Sequence, residues 1–82
     1  MSPIGLRPEV YKFAKAMEAK LKANDYKGGW MTMTPGEVIR RLKEEVEEMC
    51  EAAIMHEGGV LEEAADVANF ALIFAQLAGE LR

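Results

Sequence analysis

The sequence predicts an all-α fold: an antiparallel helical hairpin preceded by an N-terminal helix, completing a four-helix-type bundle on self-association. Three observations predict it. Apolar residues recur at three- and four-residue spacing in three separate stretches. A Thr-x-x-Glu capping box opens the second stretch and a Gly-Gly pair closes it. No stretch alternates apolar and polar residues as a half-buried strand does.

The first helix is predicted from about Pro8 to Ala23. Pro8 suits a first helical turn, and Val10, Phe13, Ala14, Met17 and Leu21 recur at helical spacing. Asn24-Asp25 and Gly28-Gly29 then break the pattern. The second helix is predicted to start at Thr34, with Pro35 in its first position and Glu37 closing the capping box, and to run to about His56. Gly58-Gly59 ends it and turns the chain back into a third helix, from about Val60 to Leu81.

The 82 residues make one domain, 1–82, whose core is marginal at this size. One cysteine, Cys50, and one histidine, His56, leave no disulfide framework and no zinc cluster, so self-association is the expected source of further buried surface. The apolar run from Val67 to Gly79 is broken by Asn69 and Gln76 and is too short to span a bilayer. The start, MSPIGLRPEV, lacks a signal-peptide core. A soluble, cytoplasmic protein is expected. Ten basic against 14 acidic residues, net charge −4, argue against a nucleic-acid binder.

The acids carry the chemistry. On a helical wheel, Ile39, Leu42, Val46, Met49 and Ala53 form an apolar seam on the second helix. Glu44, Glu47 and Glu51 point away from it, as a solvated face does. Glu45 and Glu48 flank the seam, about 75° and 135° from its centre on that wheel. On the third helix, Val67, Phe70, Ile73, Phe74, Leu77 and Leu81 form the apolar face, and Glu63 and Asp66 project into the same arc. Carboxylates there are costly unless paired or metal-bound, or unless a frayed helix start leaves them in water. The Gly58-Gly59 turn brings the two pairs face to face. Four converging carboxylates call for positive charge, and a hard divalent cation, Mg²⁺ or Mn²⁺, prefers oxygen ligands. Di-iron bundles need Glu-x-x-His motifs, which are absent.

Glu45-Val46-Glu47-Glu48, the spacer Met49 to Glu62, and Glu63-Ala64-Ala65-Asp66 resemble the ExxE…ExxD hallmark of the MazG-like, all-α nucleoside triphosphate pyrophosphohydrolase superfamily. The stretches RLKEEVEEM and LEEAADVANFALIF are similar to that family's helices, and NDYKGGW to a small subgroup of it. The resemblance covers about Val10 to Gly79 and stops short of the fourth helix that some relatives carry. It implies Mg²⁺-dependent hydrolysis of a (d)NTP to the monophosphate and pyrophosphate, in a homodimer or homotetramer. Glu45, Glu48, Glu63 and Asp66 would be metal ligands, with Glu45 or Glu48 as the catalytic base. Alternatives are a phosphoribosyl-ATP pyrophosphohydrolase of the same fold, a non-catalytic metal-binding interaction module, and a purely structural bundle.

Further candidates each have a plainer account. Lys27 is a phosphate ligand or a solvated loop lysine, in a loop that is not a P-loop. Trp30 stacks on a base or plugs the core. Asn69, one turn beyond Asp66, binds substrate or makes an interhelical polar contact. Arg41 is expected to pair with Glu45 one turn on. Tyr26 and Lys12 are weaker candidates, and His56 is expected at a helix C-terminus.

Overall fold

Local chemistry sets where each helix begins and ends. The computed structural model describes residues 5–24, 32–55 and 58–80. Helix α1 spans Pro8–Ala23, with Pro8 in its first turn. The Asn24 side chain closes it by donating to the Lys20 carbonyl at 2.9 Å. Helix α2 spans Pro35–Met55. Its capping box is formed: the Glu37 amide donates to Thr34 Oγ1 at 3.2 Å, and the Thr34 amide donates to Glu37 Oε1 at 3.0 Å. Thr34→Ala removes one half of the box and is expected to cost about 1 kcal/mol, read from the urea midpoint.

Helix α3 spans Val60–Leu77 and starts from Gly59, which holds φ at 77°. The sequence pattern carries this helix to about Leu81, yet it ends at Leu77. The cause is Gly79, at φ 79°. The Glu80 amide donates to the Ala75 carbonyl and the Gly79 amide to that of Gln76, the paired bonds of a Schellman motif.

Helix α3 lies between the other two. It packs on α2 and on α1, and among the described residues α1 and α2 make no close approach. Both packings are antiparallel. Arg41 reaches Phe70 while Glu45 and Glu48, farther along α2, meet Glu63, nearer the start of α3. Met17 meets Asn69, while Lys20, one turn on, meets Asp66. The centre of the molecule is a short line of side chains: Val38 on α2, and Ala65, Asn69 and Ile73 on α3.

The face that α2 turns inward differs from the predicted seam. Val38 and Glu45 are buried, whereas Ile39 and Val46 remain 39% and 37% exposed. On the wheel the inward face is rotated about 70° from the centre of the apolar seam, toward Glu45. Leu42 and Met49 lie between the two and are half-buried. Helix α1 shows the same effect: Phe13, Met17 and Leu21 turn inward, and Val10 stays 47% exposed. No described helix is long and apolar enough to cross a membrane.

Candidate metal centre

Four acids were singled out by spacing, and three of them converge. One carboxylate oxygen each from Glu45, Glu48 and Glu63 lies within 4.8 Å of the other two. The antiparallel hairpin produces this meeting. Glu45 and Glu48 are three residues apart on α2 and so share a flank, and Glu63 sits one turn into α3 across from them.

The three differ in environment. Glu45 is 6% exposed, Glu63 half-buried, and Glu48 exposed. Arg41 holds one oxygen of Glu45, donating from Nη2 to Oε1 at 3.2 Å, which is the ion pair expected from their spacing. The same guanidinium donates to Glu44 at 3.3 Å and lies 5.4 Å from the centre of the Phe70 ring. Packing on the ring limits its freedom and so fixes the Glu45 carboxylate. Glu47 and Glu51 are exposed, as the wheel places them.

The other oxygen of Glu45, Oε2, is buried and has no hydrogen-bond partner among the described residues, and the same holds for Glu63 Oε2. Ionised carboxylates only accept hydrogen bonds, so their neighbours in the cluster give them no donor. Burial, then the adjacent carboxylates of Glu48 and Asp66, push Glu45 up to about 7, against the pull of Arg41. Glu63 is also raised, first by burial and then by the charges of Glu48 and Asp66, with Lys20 opposing.

Asp66, the fourth acid, stands next to this group rather than in it. Its charge is felt by both Glu45 and Glu63, but its own carboxylate accepts an ion pair from Lys20 Nζ on α1 at 3.3 Å. Lys20 is not among the residues that motif spacing singles out. Its signal in the sequence is slight: on the wheel it lies beside Phe13, at the edge of the apolar side of α1.

Asn69 is 5% exposed and donates from Nδ2 to the Met17 carbonyl at 3.0 Å, an interhelical polar contact; its Oδ1 is buried without a partner. Lys12 is exposed on α1. Lys27, Trp30, Tyr26 and His56 lie outside the described residues.

No family model, curated protein or solved structure matches the chain. What fold and site define is a class: an all-α domain whose central helical hairpin gathers three carboxylates, two of them with a buried oxygen lacking a donor.

Proposed function

We propose that the chain is a Mg²⁺-dependent nucleotide pyrophosphohydrolase, cleaving a (d)NTP to (d)NMP and pyrophosphate. One observation carries the reading: Glu45 Oε2 and Glu63 Oε2, from facing helices, are buried in a shared cluster with no donor to either among the described residues. Polar atoms left so cost about 1–3 kcal/mol each, more when charged, and such a cost persists where something else completes the site. An all-oxygen donor set of this kind fits Mg²⁺ or Mn²⁺. The nucleotide substrate rests on the resemblance of the ExxE…ExxD spacing to the MazG-like superfamily.

Glu45, Glu48 and Glu63 would hold the cation, and Asp66 joins them once it leaves Lys20. A bound divalent cation there supplies positive charge against a phosphate chain and lowers the pKa of water. The chain's own part is proton handling and position. Glu45 or Glu48 would be the group that accepts a proton from an attacking water. Arg41 keeps the Glu45 carboxylate aimed. Lys27 and Trp30 are the residues offered to the phosphates and the base. The same reading makes the protein a cytoplasmic homodimer or homotetramer.

The test is pyrophosphate release across a panel of canonical and modified (d)NTPs, with Mg²⁺, with Mn²⁺ and with chelator. Metal-dependent release from at least one of them is expected. A metal-linked rise in melting temperature with no turnover would replace this reading with a non-catalytic metal-binding module, and neither response would leave a structural bundle.

Lys20 gives the reading a second handle. Its ammonium competes with a cation for Asp66, so Lys20→Gln is expected to tighten Mn²⁺ binding by about fivefold, given about 1 kcal/mol of Coulomb energy at 4 Å in water. Calorimetric titration with Mn²⁺ measures this, and weaker binding in the variant would remove Asp66 from the ligand set.

A further inference from the structure

We infer that Lys20 is a phosphate-binding residue of the site: once a cation draws Asp66 away, the Lys20 ammonium is left to hold the phosphate chain. The inference rests on the metal and nucleotide reading, and adds the group of this chain that meets the charge of the substrate.

Helix register puts Lys20 there. The bond from Asn69 Nδ2 to the Met17 carbonyl, 3.0 Å long, fixes how α1 lies on α3. Lys20 is one turn beyond Met17, and Asp66 is one turn before Asn69. The antiparallel packing therefore sets them opposite each other, with Lys20 Nζ 3.3 Å from Asp66 Oδ2. One more turn back along α3 stands Glu63, whose raised pKa the charge of Lys20 opposes. The ammonium thus borders the carboxylate cluster from the α1 side. The cluster carries its own sign of a missing ligand: Glu45 is 6% exposed, and its Oε2 has no donor among the described residues. As a clamp between helices the Lys20–Asp66 pair does little. An ion pair this open to water stabilises weakly, and Asn69 already ties α3 to α1.

Charge decides what Lys20 does. Glu45, Glu48, Glu63 and Asp66 are all negative when ionised, and one divalent cation offsets only half of that charge. A phosphate chain brings more negative charge, so it needs a cation supplied by the protein. Among the described residues, Arg41 and Lys20 pair with these acids. Arg41 is committed: it holds Glu44 at 3.3 Å and Glu45 at 3.2 Å, and it packs on the Phe70 ring. Lys20 has Asp66 as its one ion-pair partner among the described residues. Its side chain is 33% exposed, open to an arriving anion, and its flexible four-carbon stem can turn without moving α1. Paired with Asp66, the ammonium is neutralised, and the metal-free cluster repels phosphate. Binding is then ordered, the cation before the phosphate chain.

Calorimetric titration of inorganic pyrophosphate into the full chain, with Mg²⁺ in excess, tests this on the wild type, Lys20→Gln and Lys20→Arg. A Mn²⁺ titration of each protein accompanies it. Lys20→Gln is expected to weaken pyrophosphate binding at least about tenfold, the loss of one charge-assisted contact, while it tightens Mn²⁺ binding. Lys20→Arg keeps the charge and is expected to stay within about threefold of the wild type for pyrophosphate. A structural clamp does not give opposite shifts in one variant, because loosening α1 would weaken both. Equal pyrophosphate affinity in the metal-loaded wild type and Lys20→Gln would overturn the inference and leave the metal reading standing. So would a metal-loaded wild type that takes up no pyrophosphate, or loss of both affinities in Lys20→Gln. Pyrophosphate binding that Lys20→Arg fails to retain would count the same way. A wild type that binds no divalent cation would overturn the metal reading, and this inference with it.

Discussion

Glu45→Gln is expected to lower metal-dependent pyrophosphate release at least about a hundredfold while making the metal-free protein more stable at pH 8. The two effects have one origin. At pH 8 the wild-type carboxylate is ionised in a buried place, beside Glu48 and within reach of the charges of Glu63 and Asp66. Glutamine removes that charge. Its carbonyl oxygen still accepts from Arg41, and its amide nitrogen gives the neighbouring carboxylates the donor they lack. A gain of about 1–3 kcal/mol follows, the range for satisfying a buried polar group. In a domain of this size that is a rise in melting temperature of about 4–8 °C per kcal/mol. At pH 5 the gain shrinks, because the wild-type group is then largely protonated. Under the proposed assignment the variant loses a metal ligand and candidate base, which accounts for the expected drop in turnover, and Asp66→Asn is expected to lower it through the adjacent ligand. Melting curves at both pH values and a pyrophosphate assay read all of this. Full turnover in both variants would rule out the assignment, and an unchanged melting temperature at pH 8 would rule out the buried charge.

Metal-free stability is expected to fall as pH rises from about 5 to about 8. A carboxyl group whose folded pKa exceeds its unfolded value binds more protons folded than unfolded, so it stabilises at low pH and that contribution is lost as pH climbs through the folded value. Glu45 moves from 4.5 up to about 7, and Glu63 moves in the same direction. The contribution of Glu45 is thus fully present below about 4.5 and gone above about 7, worth up to about 3 kcal/mol at 1.36 kcal/mol per pKa unit. Glu37 works in the opposite sense. Its capping bond to the Thr34 amide lowers its pKa, so its contribution is lost as pH falls below the usual carboxylate range. A stability maximum near pH 5 results. Saturating Mg²⁺ should remove the decline above it, because the cation binds the deprotonated cluster and favours the folded state. Urea midpoints at pH 5, 6, 7 and 8, with and without Mg²⁺, decide the matter; a profile flat to pH 8 without metal would mean that the cluster carries no strain.

Elements governed by local chemistry were legible in advance. The first helix begins and ends at the residues its Pro8 and Asn24 signals mark. The capping box, the Gly58-Gly59 turn and the Arg41–Glu45 pair depend only on residues three or four apart, or on a glycine's access to positive φ. The end of α3 departs from the sequence pattern. Leu81 continues the apolar spacing, but the left-handed Gly79 ends the helix, and backbone geometry overrides periodicity there.

The choice of faces could not be read from one helix at a time. The apolar arc of α2 is wider than one neighbour can cover, so periodicity gives its centre and not the edge that meets α3. Packing on α3 selects the edge with Val38 and Glu45, which turns Glu45 from a flanking residue into a buried one and leaves Ile39 and Val46 outside. Lys20 likewise acquires its partner only because α1 lies antiparallel on α3.

By itself, then, the sequence determined three helices, their caps, the hairpin and which acids share a flank, because each follows from contacts within one or two turns. Only the tertiary structure decided that Glu45, Glu48 and Glu63 converge while Asp66 is held by Lys20, and that the second apolar edge of α2, with Ile39 and Val46, stays exposed. Those outcomes depend on the rotation of one helix against another, which is set by side chains far apart in the chain.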